Sequence, residues 1–389
     1  FSGVGRSLNY YPLGDERPED GVAELAVGLG KYIVDGGRAL RFSPLHPARA
    51  LQTSTIDLAL RDTQTYLLAL RAANDDGSVD SMTAGNVKVD DGYNLVRKSV
   101  QDFAGSGALR YTVSTYDALD QMLRDCDSGR GRRVVTFTNI LRDKALPLAE
   151  AINFMLSQGQ SAMQRPVEIE FAGIINPAAD EAGIKGHLYW LQIRPIIDKK
   201  EQVSDELLDL PDEQLILRSD TALGHGMIDN VDTIVYIRPE KFNSMNNSRL
   251  PEILDRINTR FAQENRGYIL IGPGRWGSSD SALGIPVKWP QISAARLIVE
   301  ASLPGYRIEP SQGTHFFQNL TSFGVGYFTI DRHAGSDAFY DSAYLDSLKA
   351  EYEDDFIRIV RFGRPLIIAI NGRRGIGMVA KPDITETQN

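Results

Sequence analysis

The sequence predicts a mixed α/β protein of the α+β kind, folded as two domains. Three observations carry this. Val167–Ala172 and Leu188–Pro195 alternate apolar and polar residues, the period of a half-buried strand. Leu146–Leu156 and Leu250–Gln263 repeat their apolar residues at helical spacing instead. The stretch beginning Asp198-Lys-Lys-Glu-Gln-Val-Ser-Asp-Glu has no core face, and 389 residues exceed one ordinary core, so a boundary is expected there. The domains are then residues 1–200 and 206–389.

In order, the first domain alternates short strands with few helices. Strands are predicted at Thr65–Arg71, Arg133–Thr138, Val167–Ala172 and His187–Ile193. The helix Leu146–Leu156 puts Leu148, Ile152 and Met155 on one stripe, behind a Pro147 suited to a helix start. Asn74–Gly92, rich in Asp, Asn and Gly, reads as a polar surface excursion. The second domain opens with strands at Leu215–Arg218 and Thr233–Ile237. Helix Leu250–Gln263 follows, with Leu254, Ile257 and Phe261 at helical spacing. Strands recur at Tyr268–Ile271, Arg296–Val299, Gly326–Ile330, Ile357–Val360 and Leu366–Ile370, and a helix is expected at Asp341–Tyr352. The mix implies a sheet with helices against it.

Composition narrows the function classes. With 42% hydrophobic and 24% charged residues the chain reads as soluble and globular. A formal net charge of −9 argues against a nucleic-acid or anionic-membrane partner, either of which needs a basic face. No apolar run approaches the ~18 residues of a membrane span, and no secretory signal opens the chain. The single cysteine, Cys126, excludes an intrachain disulfide and suits a reducing cytoplasm. Flanked by Asp125 and Asp127, it is poorly placed to be a thiolate nucleophile. The opening Phe1-Ser-Gly-Val lacks a Met and reads as the interior of a longer protein.

The alternating pair holds the chemistry. Ile169 and Phe171 point one way and Glu168 and Glu170 the other; Leu191 and Ile193 share a face opposite Gln192 and Arg194. If the two strands pair with their apolar faces on one core, two carboxylates, an amide oxygen and a guanidinium converge on the far side. Those groups suit a hard cation beside a polyphosphate. An amphipathic hairpin with an ordinary polar face would look the same.

Glu-Ile-Glu-Phe-Ala at 168–172 and Leu-Tyr-Trp-Leu-Gln-Ile-Arg-Pro-Ile at 188–196 resemble the closing segment of the ATP-binding domain of phosphoenolpyruvate synthase and pyruvate phosphate dikinase. Upstream, Glu24-Leu-Ala-Val-Gly28-Leu-Gly30-Lys-Tyr-Ile-Val34-Asp-Gly36 is similar to that family's Glu-x-x-x-Gly-Leu-Gly segment. Gly3-Val4-Gly5-Arg6-Ser7-Leu8-Asn9-Tyr10-Tyr11-Pro12 is a weaker likeness to the Gly-Val-x-Phe-Thr-x-x-Pro turn before it. The resemblance covers residues 1 to about 197 and implies the carboxyl half of an ATP-grasp domain, followed by a second α/β domain for which no family is suggested. It puts Glu170 on the family's metal-binding Glu, with Gln192 supplying a neutral oxygen to the same Mg²⁺. Arg194 then neutralises charge on the terminal phosphates of ATP. Glu168 stands where the family has Asp and is expected to orient a neighbour. Glu24, Gly28 and Gly30 are implied as nucleotide contacts. From the residues alone, Glu24 is equally a solvated or capping carboxylate, and Gly28-Leu-Gly30 equally a tight turn.

In the second domain, Tyr268–Ile271 leads into the glycine-dense loop Gly272–Asp280, carrying Arg275 and Trp276. Such a loop at a strand's carboxyl end could offer Arg275 to an anionic nucleotide and Trp276 as a flat face. A turn whose Trp packs on the core reads equally well. His315 and His225 are read as ordinary hydrogen-bonded histidines, because neither lies in the family's Gly-Met-Thr-Ser-His phosphate-relay segment. The implied activity is phosphoryl transfer from Mg-ATP. The partner would be the family's amino-terminal subdomain, whose motifs are not in these residues, so this chain alone is not expected to turn over. The alternative is a non-catalytic ligand-sensing or interaction module that keeps an ATP-grasp scaffold.

Overall fold

Alternation becomes a strand wherever one face can be buried. Val167, Ile169 and Phe171 are almost fully buried, while Glu170 between them stays half-buried. The computed structural model describes residues 1–70, 95–102, 109–176, 185–196, 203–278, 280–302, 320, 324–331 and 336–382. The Asn74–Gly92 excursion, His315 and the start of the charged stretch at 198 lie outside them. The described chain is mixed α/β, mostly sheet with few helices. It divides into two units, Phe1–Asn9 with Glu19–Ile196, and Tyr10–Pro18 with Ile197–Asn389.

The first unit contains β1 (Ser2–Arg6), β2 (Val22–Ala26), α1 (Lys31–Val34), β3 (Leu40–Phe42), α2 (Ile56–Asp62), β4 (Tyr66–Leu70), β5 (Leu95–Ser99), β6 (Val113–Asp117), β7 (Met122–Arg124), β8 (Arg132–Val135), α3 (Thr138–Leu141), α4 (Leu148–Met163), β9 (Val167–Ile175) and β10 (Gly186–Pro195). Its main sheet is antiparallel in the order β10-β9-β1-β2-β3. Helix α4 covers one face, its Ile152, Met155 and Leu156 sharing a core with Leu25, Leu40, Phe42, Ile169 and Phe171. Each large side chain buried there contributes about 1.5–3 kcal/mol. The helix continues past the expected end at Leu156, and in this last stretch Gly159 faces the sheet. A Cβ there would lie 2.5 Å from the tip of Ile193, so the missing side chain lets helix and sheet approach closely.

The pairing corrects one expectation. A bulge between Trp190 and Gln192 makes Leu191 an extra residue, 62% exposed, and Trp190 pairs with Phe171 in its place. Gln192 and Arg194 keep their common face.

The second unit contains α5 (Asp205–Leu208), β11 (Leu215–Ser219), β12 (Thr221–Leu223), β13 (Gly226–Ile228), β14 (Thr233–Ile237), α6 (Ser244–Asn247), α7 (Leu250–Gln263), β15 (Tyr268–Pro273), β16 (Arg275–Trp276), β17 (Gly284–Ile285), β18 (Ala295–Ala301), β19 (Gly326–Ile330), β20 (Phe339–Tyr340), β21 (Tyr352–Glu353), β22 (Ile357–Arg361), β23 (Ile368–Asn371) and β24 (Ile376–Ala380). Strands β14, β15, β18 and β19 run parallel inside a sheet of order β12-β19-β18-β15-β14-β22-β21. Helix α7 is the crossover from β14 to β15, and its Phe261 ring lies 4.8 Å from that of Tyr268. On the other side Ile234, Ile269, Leu297 and Phe328 share a core with Ile216, Ile368 and Val379 of the antiparallel sheet β13-β23-β24-β11-β20.

Two expectations are revised here. Residues 10–18 belong to this unit, held by Tyr10 stacked on His225 at 4.4 Å and by Tyr11, whose hydroxyl donates to the Val325 carbonyl. The helix expected over Asp341–Tyr352 covers only Ser342–Ser347, capped by Asp341. Arg358 takes the carbonyls of Asp346 and Leu348, ending the helix, and the chain turns out into β21.

Candidate functional site

The face of the main sheet opposite α4 carries the polar residues in two rows. Register places Arg194 beside Glu168 and Glu168 beside Arg6. The next row reads Gln192, Glu170, Val4, Glu24 and Arg41 across five strands. Period two along each strand puts both rows on one face. The structure therefore brings together Glu168, Glu170, Gln192 and Arg194.

Glu168 is the pivot. Its carboxylate is nearly buried and accepts from Arg6 Nε on Oε2 at 2.6 Å and from Arg194 Nε on Oε1 at 2.7 Å. Burial alone would push its carboxyl up; the guanidiniums, Arg6 foremost, outweigh this and hold it below the usual carboxylate range. Glu168 in turn raises Arg194, with a smaller contribution from the charge on Glu170. Both arginines remain substantially exposed, 43% for Arg6 and 58% for Arg194. Glu168 thus orients two cations, with both of its oxygens already engaged by guanidinium donors.

Glu170 and Gln192 stand directly opposite each other, and neither side chain makes a hydrogen bond among the described residues. No group of three or more His, Cys, Asp or Glu is placed to hold a metal among the described residues. One carboxylate and one amide oxygen nonetheless suit Mg²⁺, which keeps several waters and completes its shell with ligand phosphates. Glu24 lies two strands from Glu170, about 10 Å by strand spacing. It pairs instead with Arg41 Nη1 at 3.5 Å, while Arg41 Nη2 donates to Asn9 at 2.8 Å. Glu24 therefore shares the face without sharing the Glu170–Gln192 position.

Gly28 has φ +94°, and a Cβ there would lie 2.9 Å from the Leu68 carbonyl. Leu29 donates to that carbonyl, and Gln64 brackets the turn through the Val27 N–H and C=O. The tight-turn reading accounts for Gly28. Gly30 has ordinary helical angles at the start of the four-residue α1.

In the second unit, Arg275 follows the carboxyl end of the parallel strand β15 and is half-buried. Trp276 is fully buried, its indole N–H donating to the Val299 carbonyl at 3.0 Å and its backbone N–H to Glu300 at 2.9 Å. Its ring packs over Gly272. The expected flat face for a ligand is part of the core. His225 accepts from the Gly372 N–H at 3.2 Å, an ordinary structural role.

Arg6 and Arg41 are the residues that motif reading missed. Their signal was present: Gly3 and Gly5 alternate with Val4 and Arg6, a strand pattern quoted only as a turn. Arg41 faces Glu24 only through strand pairing. A cavity of about 440 Å³ in the same unit, lined by Thr53, Thr55, Asp125, Thr136, Thr138 and Arg142, contains none of the selected residues. Its Arg142 is occupied by Asp125 and Asp143.

No helix among the described residues is long and apolar enough to cross a membrane. No protein-family model matches the chain, and no curated protein is similar to it in sequence.

Proposed function

We propose that the first unit is the carboxyl half of an ATP-grasp nucleotide-binding domain, similar to that of phosphoenolpyruvate synthase and pyruvate phosphate dikinase, and that it binds Mg-ATP for phosphoryl transfer in the cytoplasm. The observation that supports this reading is the Glu170–Gln192 pair, without a hydrogen bond among the described residues, beside an Arg194 locked on Glu168. Glu170 and Gln192 would hold the ion. Bound Mg²⁺ supplies charge neutralisation to the phosphate oxygens. Arg194 keeps its guanidinium aimed by Glu168 and meets the negative charge of the terminal phosphates. Pre-aiming removes the entropy of ordering a long side chain when ligand arrives. Arg275, at the end of a parallel strand, is proposed as an anion contact of the second unit.

Isothermal titration of the 389-residue chain with ATP, with and without Mg²⁺, tests the reading. Binding that needs Mg²⁺ and weakens at least about tenfold in Arg194→Ala is expected, the loss of one charge-assisted contact. Absence of nucleotide binding by the wild-type chain would overturn it.

A further inference from the structure

Arg6 donates to Glu168 through Nε alone, so Nη1 and Nη2 have no hydrogen-bond partner among the described residues. Arg194 engages Glu168 through Nε and Nη2, and its Nη1 has no hydrogen-bond partner among the described residues. The bonded nitrogens of the two guanidiniums are no more than about 7 Å apart, because both rest on one carboxylate. The terminal Nη edge that Arg6 presents is the edge that takes an oxyanion bidentately. Its stem is held by a nearly buried acid, so it needs no rearrangement to offer that edge.

We propose that Arg6 is a second phosphate-binding residue, forming with Arg194 a two-guanidinium clamp that selects ligands with at least two linked phosphates. This rests on the nucleotide reading given above and adds to it a residue and a substrate class. Charge supports the class. Arg6, Arg194, Glu168 and Glu170 sum to zero, so the clamp has no general appetite for anions. A single phosphate can occupy one guanidinium edge; a diphosphate or triphosphate spans both and brings the cation that Glu170 and Gln192 can share. Arg6 also lies on a different strand from Arg194, with β9 between them, so the clamp exists only when the sheet is assembled.

The test uses the 389-residue chain and four probes, ATP, ADP, AMP and inorganic tripolyphosphate, each with Mg²⁺, titrated calorimetrically. Arg6→Ala should weaken ATP, ADP and tripolyphosphate about tenfold or more and leave AMP within about twofold. Arg6→Lys should restore part of the loss, as a point charge without the fork. Arg130→Ala, on the turn between β7 and β8, controls for net charge and should change nothing. Thermal melts identify any variant that fails to fold, and Arg6→Gln, which keeps the stem, then replaces Arg6→Ala. If wild type binds ATP and the Arg6 variants bind it equally, or lose AMP in the same proportion, the clamp is wrong while the nucleotide reading stands. If wild type binds none of the four probes, the nucleotide reading itself falls.

Discussion

Glu170 and Gln192 are register partners on β9 and β10, and each points onto the sheet face opposite α4 a side chain that makes no hydrogen bond among the described residues. Two residues along each strand, Glu168 and Arg194 are likewise partners, but these two are bonded. Within one hairpin, one pair is satisfied internally and the next is left for something else. A half-buried carboxylate next to a neutral amide gains little from its neighbours, whereas a cation between them would satisfy both.

Removing the charge at that pair should separate binding from folding. Glu170→Gln is expected to weaken Mg²⁺-dependent ATP binding about tenfold or more, because an amide is a far poorer ligand for a hard cation. Stability should change by less than about 0.5 kcal/mol, the usual range for a surface substitution. Calorimetric titration alongside urea unfolding measures both. Unchanged binding would remove Glu170 from the metal position.

Glu168 makes stability depend on acid. Its folded carboxyl lies below the unfolded value, so its contribution is fully present above that value, about pH 4.3, and is lost as pH falls through the lower folded value. Glu168→Gln should destabilise the protein by about 1–2 kcal/mol at pH 7, discounted because Arg6 and Arg194 are exposed. The difference from wild type should shrink as pH falls below that unfolded value and through the lower folded one. Denaturant unfolding across that range is the measurement, and a difference independent of pH would contradict the pairing.

Gly28 and Gly30 should behave differently although they share one motif. Gly28→Ala forces a side chain into φ +94° against the Leu68 carbonyl and should cost about 1–2 kcal/mol. Gly30→Ala meets nothing closer than 3.7 Å in a helical backbone and should be neutral within about 0.5 kcal/mol. If Gly28→Ala instead kept its stability and lost nucleotide affinity, the phosphate-approach reading would replace the tight turn.

Trp276→Ala should destabilise the second unit by about 3–5 kcal/mol, since it empties a fully buried site and removes the indole donor to the Val299 carbonyl. Trp276→Phe keeps most of the volume and should cost less. Urea unfolding followed by far-ultraviolet dichroism checks both, and a near-neutral Trp276→Ala would mean the ring is not a core residue.

Local period carried much of this molecule in the sequence. Strand Thr233–Ile237, helix Leu250–Gln263 and strand Gly326–Ile330 have the bounds expected, because an apolar strand or stripe declares itself within a few residues. The polar face at Glu168, Glu170, Gln192 and Arg194 was legible for the same reason: period two assigns a side to every residue. The loop at Gly272–Asp280 was legible as a loop at a strand's end, but whether Trp276 faced ligand or core depended on Gly272 and Val299, neither of which local pattern can weigh.

Sequence by itself determined which side of each strand faces the core and where two helices run, since both follow from short-range periodicity. Tertiary structure alone decided that Arg6 shares Glu168 with Arg194, across 162 residues of chain, and that Arg41 stands beside Glu24. It also decided the bulge that expels Leu191 and the transfer of residues 10–18 to the second unit. The physical reason is common to all four. Each depends on which strands or rings become neighbours once loops have closed, and the free energy of that choice is spread over the whole sheet rather than stored in any one segment.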